Sequence, residues 1–286
     1  LINHLEPATA DQWYVIDAAP NFGRHETQTR LLGHDIGLQR NENGTAVVRD
    51  GHRNLPVIER YGYVWTSIGD PKSNVVSIPE ADETDRRHVP CGAITVHASG
   101  LRIVENFLDM AHFPFVHTNI LGVEPHTEVQ HYTTEIRRQK DEVWATNCQF
   151  FQPQAAVAAS GGMMTQYVYR VASPFVTMLY KTSPGAADRS DVIALFVQPL
   201  DPDRCRAHPV MFLLDDASGQ NDLIRFQQLI FLQDRIILEN QRPRLLPLEP
   251  RAEIPTRADS ASVAYRRWLK EKGLIYGTTA GLKGAK

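Results

Sequence analysis

Residues 221–241 read NDLIRFQQLIFLQDRIILENQ. Apolar side chains recur there at spacings of three and four, with no Gly or Pro to interrupt them, so the spacing predicts a helix over Asn221–Gln241. Pro243, just beyond the point where the pattern fades, supplies the stop. Upstream, between about Glu128 and Asp215, the runs HTEVQHYTTEI, VWATNCQF, TQYVYRVA, FVTMLYKT, DVIALFVQPL and RAHPVMFLL read as six consecutive strands with no helix between them. That succession predicts an antiparallel meander. A long helix laid on one face of such a sheet buries both apolar surfaces, so the fold class is α+β. A shorter terminal helix is expected over Ser260–Lys272. The first hundred residues carry the strand-like runs QWYVIDA, TRLLGHDIGLQ, TAVVRD and LPVIERYGYVWTSIG between the turn signals NENG, RDGH and GDP, a small β-rich section of its own. The polar stretch PEADETDRRH that follows is expected to be a surface connection.

Composition narrows the function. With 42% hydrophobic and 22% charged residues in a chain of 286, this is the makeup of an ordinary globular protein. Apolar runs such as VIALFVQPL fall far short of the roughly 20 residues a bilayer helix needs, so no membrane partner is expected. A net charge of −3 with scattered Lys and Arg gives no basic stripe for nucleic acid. The N-terminal LINHLEPATADQWY lacks the charged and apolar regions of a secretory leader, and the expected location is the cytoplasm. Cys91, Cys148 and Cys205 are too few and too far apart for a disulfide framework, and read as reduced interior thiols. Cys205 and His208 form a C-x-x-H, but no second pair accompanies it, and on a strand an odd separation turns them to opposite faces.

Within the long helix Phe226, Ile230, Asp234 and Leu238 fall at steps of four along one side. A carboxylate in that apolar row must be paired or bound, because an uncompensated buried charge is very costly. An internal arginine would serve, and so would a metal. A second stretch, ENFLDMAHFPFVH over Glu105–His117, sets two histidines five apart among apolar residues. On a straight helix that spacing leaves them about 140° apart. Pro114 and its bias on Phe113 should end the helix near His112 and bend the chain, which lets His117 swing round to meet His112. Either histidine alone could be an interior ring bonded to backbone. Together, His112, His117 and Asp234 match the two-histidine, one-carboxylate set that holds Fe(II) and leaves positions open for oxygen. Zinc could use the same donors.

ENFLDMAHFPFVH resembles the iron-binding segment of Rieske-type non-heme iron oxygenases, in which Asn is followed by Asp three on, His three on and His five on. Asn106, Asp109, His112 and His117 fit each step. FLQDRIILENQRP is similar to the family's carboxylate segment and places that ligand at Asp234, while PVIERYGYVWTSIGDP is similar to the run that closes the family's N-terminal domain. The resemblance implies a helix-grip (START-like) catalytic domain over 76–286, preceded by a truncated Rieske-domain remnant over 1–75, and O2 activation at mononuclear Fe(2+). It also implies that Asp109 bridges an iron ligand to a cluster-binding His on the neighbouring subunit of a ring-shaped trimer, and that Asn106 lies near the iron without ligating it firmly. Gln227, Ile230 and Phe231, about a turn before Asp234, are the candidates for lining the substrate pocket, with core packing the competing role for the last two.

The departure from the family is informative. A Rieske cluster takes two Cys and two His, yet between TAVVRD and PVIERYGYVW this chain has only GHRNL, and His52 alone cannot hold a 2Fe–2S cluster. There is also no G-x-G-x-x-G loop or flavin signature. Electrons are therefore expected from a separate Rieske-bearing reductase, with NAD(P)H used only through that partner, in a trimeric or hetero-oligomeric assembly. Catalytic components for N7-demethylation of methylxanthines are similar in lacking their own cluster domain. By that comparison the expected reaction is oxygen-dependent conversion of 7-methylxanthine to xanthine plus formaldehyde. Another aromatic substrate, or a non-catalytic scaffold role in such an assembly, are the alternatives. Pterin-dependent hydroxylases also use H-x4-H, but their acid usually lies much closer to the second His, and no His here begins the H-x-D of a 2-oxoglutarate oxygenase. Metal analysis separates enzyme from scaffold: an enzyme with this ligand set should hold about one iron per chain without a visible iron–sulfur band, and a chain that binds no iron would favour the scaffold.

Overall fold

The computed structural model describes residues 5–157, 159 and 161–281. Six strands, Thr133–Arg137, Glu142–Gln152, Met163–Ser173, Val176–Ser183, Ala186–Asp201 and Arg204–Leu213, pair antiparallel in chain order, as the meander requires. The last strand also takes two earlier segments on its free edge: Arg87–Pro90 against Val210–Leu213, and Ile94–Val96 against Cys205–Ala207. The end of the stretch expected to be a surface connection, Arg87 and His88, thus enters the sheet. Its turn at Pro79–Asp82 does lie outside the strands, but Arg87–Pro90 completes the edge. A pairing across more than a hundred residues leaves no local pattern to read.

Alternation along the strands gives the sheet two apolar faces. On one, Val176, Met178, Val192, Ala194, Phe196 and Phe212 pack against Val15, Tyr63 and Trp65 of the N-terminal section. Those residues come from a three-stranded sheet of Tyr14–Ala18, Tyr63–Thr66 and Val57–Arg60. Trp65 meets Phe196 edge-on at 4.7 Å. A further four-stranded sheet, Thr27–Leu31, His34–Arg40, Ala46–Asp50 and Arg53–Asn54, contributes Leu31, Ile36 and Val48 to the main core. His52, in the turn before Arg53, is exposed. Cys91, Cys148 and Cys205 are all free and buried. Cys205 lies in the main core, whereas His208, on the opposite side of the same strand, packs edge-on to Tyr63 and reaches Gln198 Oε1 at 3.2 Å. Burial pushes that imidazole down to about 3, so it is a neutral core residue.

The opposite face carries the helices. Gly100–Leu108 lies against the last two long strands and touches both the long helix Gln220–Asn240 and the terminal helix Ser260–Glu271. Its first residue sits so close to the sheet that a Cβ on Gly100 would come within 2.8 Å of Val197, so only glycine fits. Ser99 caps the helix by accepting the Leu101 amide. The long helix agrees with its predicted span to within a residue at each end. Its buried row is Leu223, Gln227, Phe231, Asp234 and Leu238, with Phe226 and Ile230 half-buried at its flank. Steps of four drift on a 3.6-residue turn, and one step of three restores the stripe. No helix among the described residues is long and apolar enough to cross a membrane.

One buried charge network locks the helix Gly100–Leu108 in place. Arg102, with none of its side chain exposed, donates to Glu105 at 3.0 Å, to Glu253 at 2.6 and 3.1 Å, and to the Pro243 carbonyl at 3.0 Å. Arg266 pairs with both glutamates from the terminal helix. Removing Arg102 empties a fully buried site, leaves the Pro243 carbonyl without its donor and leaves Glu105 and Glu253 with Arg266 alone, so Arg102→Ala should lower the unfolding free energy by roughly 2–4 kcal/mol. Arg138→Ala, which opens a largely exposed pair with Glu271, should cost less than about 1 kcal/mol. Denaturant titration of the two variants makes the comparison.

Candidate metal centre

The histidine segment is shaped by its own side chains. The helix ends at Leu108, four residues earlier than the proline alone predicts, because Asp109 adopts extended geometry (φ −88°, ψ 128°) and its Oδ1 accepts the Ala111 amide at 2.7 Å. Such an Asx turn offers the backbone an alternative to the helix. Pro114 then opens a new helical turn, Phe113–Val116, where its missing N–H costs nothing. Val116 N–H bonds to the His112 carbonyl at 2.8 Å and His117 N–H to the Phe113 carbonyl at 3.0 Å, so this second turn carries His117 back over His112. The chain beyond folds onto it tightly. A Cβ on Gly122 would stand 2.6 Å from Pro114 N, and Thr118 Oγ1 donates to the Pro114 carbonyl at 2.6 Å.

His112, His117 and Asp234 converge. His112 Nε2 is 3.1 Å from His117 Nε2, and Asp234 Oδ1 lies 3.3 Å from the first and 3.0 Å from the second. Their other ring nitrogens are engaged: His112 Nδ1 faces Asp109 Oδ2 at 3.1 Å, and His117 Nδ1 faces Gln233 Oε1 at 2.8 Å. With Nδ1–H donated outward, the neutral tautomer leaves both Nε2 lone pairs bare and aimed at the same point as Asp234 Oδ1. That buried oxygen has no hydrogen-bond partner.

The donor set fits a metal on its dimensions. Three atoms each about 2.1 Å from one centre and about 90–105° apart are separated by about 3.0–3.3 Å, the triangle seen here. The electrostatics agree. Burial opposes charge on His112, but Asp109 and Asp234 outweigh it and push the ring up to about 9. Burial likewise pushes Asp234 up, and the two histidines that face it more than reverse this, holding it below the usual carboxylate range. The interior therefore favours positive charge at the centre of the triangle. These three residues are the only group of three or more potential ligands that converge among the described residues.

A cavity of about 390 Å³ adjoins the triangle, within the range of small-molecule sites. Asn106, Gln227, Ile230 and Phe231 all line it, and Phe231 is at the same time part of the main core. Asp109 stands on the other side, bonded to His112 with about a quarter of its side chain exposed. Gln233, which orients His117, escaped the sequence reading. Its position beside Asp234 was the available signal, but a glutamine on a half-exposed helix face has no distinguishing pattern.

Residues 96–273 match the family described as the vanillate O-demethylase oxygenase C-terminal domain. The chain is 49% identical over 274 residues, 95% of its own length and 97% of the relative's, to a protein of Pseudomonas sp. (strain TJI-51) named probable methylxanthine N7-demethylase NdmC. It is 25% identical to methylxanthine N1-demethylase NdmA of Pseudomonas putida, over 74% of this chain and 59% of that longer relative. The structure of Pseudomonas putida CBB5 NdmA with caffeine superposes with a TM-score of 0.75 at 17% identity, covering 91% of this chain and 90% of that one.

Removing one of three ligands should abolish tight binding, so Asp234→Ala should retain less than about a tenth of the wild-type iron while its circular dichroism is unchanged. Gln233→Ala frees His117 to rotate and should weaken metal affinity about 10–100-fold. Both are read by metal titration of the purified variants, and full iron occupancy in Asp234→Ala would remove that residue from the site.

Proposed function

The chain belongs to the vanillate O-demethylase oxygenase C-terminal domain family of Rieske-type non-heme iron oxygenases, and on that footing we propose that it removes the N7-methyl group of methylxanthines, converting 7-methylxanthine to xanthine and formaldehyde. The observation that carries the substrate assignment is 49% identity to NdmC across nearly the whole of both chains. The chemistry rests on the His112–His117–Asp234 triangle beside a cavity of matching scale. Fe(2+) held by these three residues would supply O2 activation, which takes two electrons and two protons per turnover, one oxygen atom going to the N-methyl carbon and the other to water. The resulting N-hydroxymethyl compound releases formaldehyde when its C–N bond breaks.

The protein's own side chains divide the remaining work. Asp109 and Gln233 fix the two imidazole tautomers and orientations. Asn106 offers an amide to the cavity near the triangle, and Gln227, Ile230 and Phe231 bound the side formed by the long helix. Phe113, edge-on to His112 at 5.0 Å and to Phe150 at 5.5 Å, walls the site with carbon and limits water around it.

The first 90 residues given contain no cysteine with which to ligate a cluster, which supports an outside source of electrons. We assign their source to a separate Rieske-bearing reductase that draws on cytoplasmic NAD(P)H and approaches on the Asp109 side, the exposed edge of the ligand network. The outward face of the long helix leaves Leu229, Leu232 and Ile236 exposed, a surface suited to a neighbouring chain in a trimeric or hetero-oligomeric assembly.

The test is turnover by the iron-loaded protein with such a reductase and NADH. Xanthine and formaldehyde should form in equal amounts from 7-methylxanthine, and 1- and 3-methylxanthine should be poor substrates. Asp109→Asn should keep its iron and lose roughly 10–100-fold in reductase-driven turnover; a normal rate would mean that electrons enter elsewhere. No formaldehyde from any N-methylated purine would overturn the assignment.

A further inference from the structure

The inner face of the sheet carries a charged group to which neither the metal triangle nor the core gives a task. Lys181 lines the same cavity as His112, His117 and Asp234, and only 7% of its surface is exposed. Its ammonium donates to the Ala155 carbonyl and, at 3.4 Å, to Gln152 Oε1. Both acceptors are neutral, and an ammonium has three N–H donors, so one is left over. Asp191 is its partner across the strand pair, but that carboxylate accepts the Leu214 amide at 2.8 Å instead. Among the described residues no carboxylate lies within 4.0 Å of the Lys181 nitrogen. Burial pushes the ammonium down to about 8, with Asp191 pulling the other way. Nearby on the same face, Tyr169 is 1% exposed, lines the cavity, and has a hydroxyl with no partner. A buried cation whose nearest counter-charge, Asp191, stays out of contact is costly where an apolar side chain would pack as well.

We propose that Lys181 is a specificity-determining residue whose spare N–H donates to a carbonyl oxygen of an N-methylated imide heterocycle, fixing which methyl group faces the metal end of the cavity. This rests on the N-demethylase reading above and deepens it. Tyr169 offers a second donor on the same face. A flat heterocycle anchored by its carbonyl edge on the sheet is then held in one orientation, while the long helix, apart from Asp234 at the metal end, supplies apolar walls and the Gln227 amide.

The competing role for Lys181 is structural, tying the segment at Gln152 and Ala155 to the sheet. Steady-state kinetics and thermal unfolding of Lys181→Met separate the two. The recognition role predicts that KM for 7-methylxanthine rises about ten- to a hundredfold, that less of the NADH consumed ends as formaldehyde, and that Tm is unchanged or higher. Lys181→Arg should recover part of the loss. An unchanged KM and unchanged coupling in Lys181→Met overturn the proposal, as does a lowered Tm with kinetics otherwise normal. If Lys181→Met does not fold, wild-type binding decides: 7-methylpurine, which has no carbonyl oxygen, should bind about tenfold more weakly than 7-methylxanthine, and equal affinity overturns the proposal. If wild type binds no methylxanthine at all, the demethylase reading falls separately. An aromatic carboxylate or sulfonate then becomes the probe. Binding that Lys181→Met or Lys181→Arg alters by tenfold upholds an acceptor-recognising Lys181, and binding that is unaffected or absent overturns it.

Discussion

Two imidazole lone pairs and a carboxylate oxygen held 3.0–3.3 Å apart behind a wall of phenylalanine repel one another unless positive charge lies among them. That repulsion is built in by the backbone rather than relieved by it. The Asx turn at Asp109, the helical turn opened at Pro114 and the tight seat of Gly122 leave His112 and His117 no other place to be. The third donor arrives from the far end of the chain on a helix packed against the sheet edge and the helix Gly100–Leu108. A divalent ion converts this conflict into binding energy, which is why the same geometry is weak as an ion pair and strong as a ligand set.

The sheet makes that precision possible by being covered on both sides. Its outer face is closed by Val15, Tyr63 and Trp65 of the N-terminal section, and its inner face by the helices and the cavity. A sheet packed on both faces bends little, so positions set on its strands hold relative to the helices. Arg102 adds a polar lock between the helix that leads to the histidines and the chain around Pro243 and Glu253. Asp234 is therefore set on a rigid helix, while His112 and His117 flank the short helical turn Phe113–Val116 in an otherwise irregular stretch held by its own hydrogen bonds.

Much of this was legible in the residues. The 21-residue helix was readable because periodicity over six turns leaves little ambiguity. Asp234 was noticeable because charge in an apolar row demands a reason. The six-strand meander followed from the absence of helical patterns between strand-like runs. What escaped has two causes, a local side-chain turn and contacts between distant residues. The place where the first helix stops was set by Asp109 folding back on its own backbone, and proline merely opened the next turn. The edge strand Arg87–Pro90 exists because Val210–Leu213 is there to receive it. Gln233 and Lys181 look like ordinary polar residues until the fold shows which atoms they face.

The N-terminal section invites a last consideration. Its strands contribute aromatic and aliphatic groups that cover one face of the long sheet, whereas the turn at Gly51–His52 is exposed and belongs to no core cluster. Loops at such a tip can be shortened, or stripped of their ligands, while the masonry behind them stays whole. Change at that tip therefore leaves the building standing, and what the section gives the long sheet is a buttress, mechanical support on the side away from the cavity.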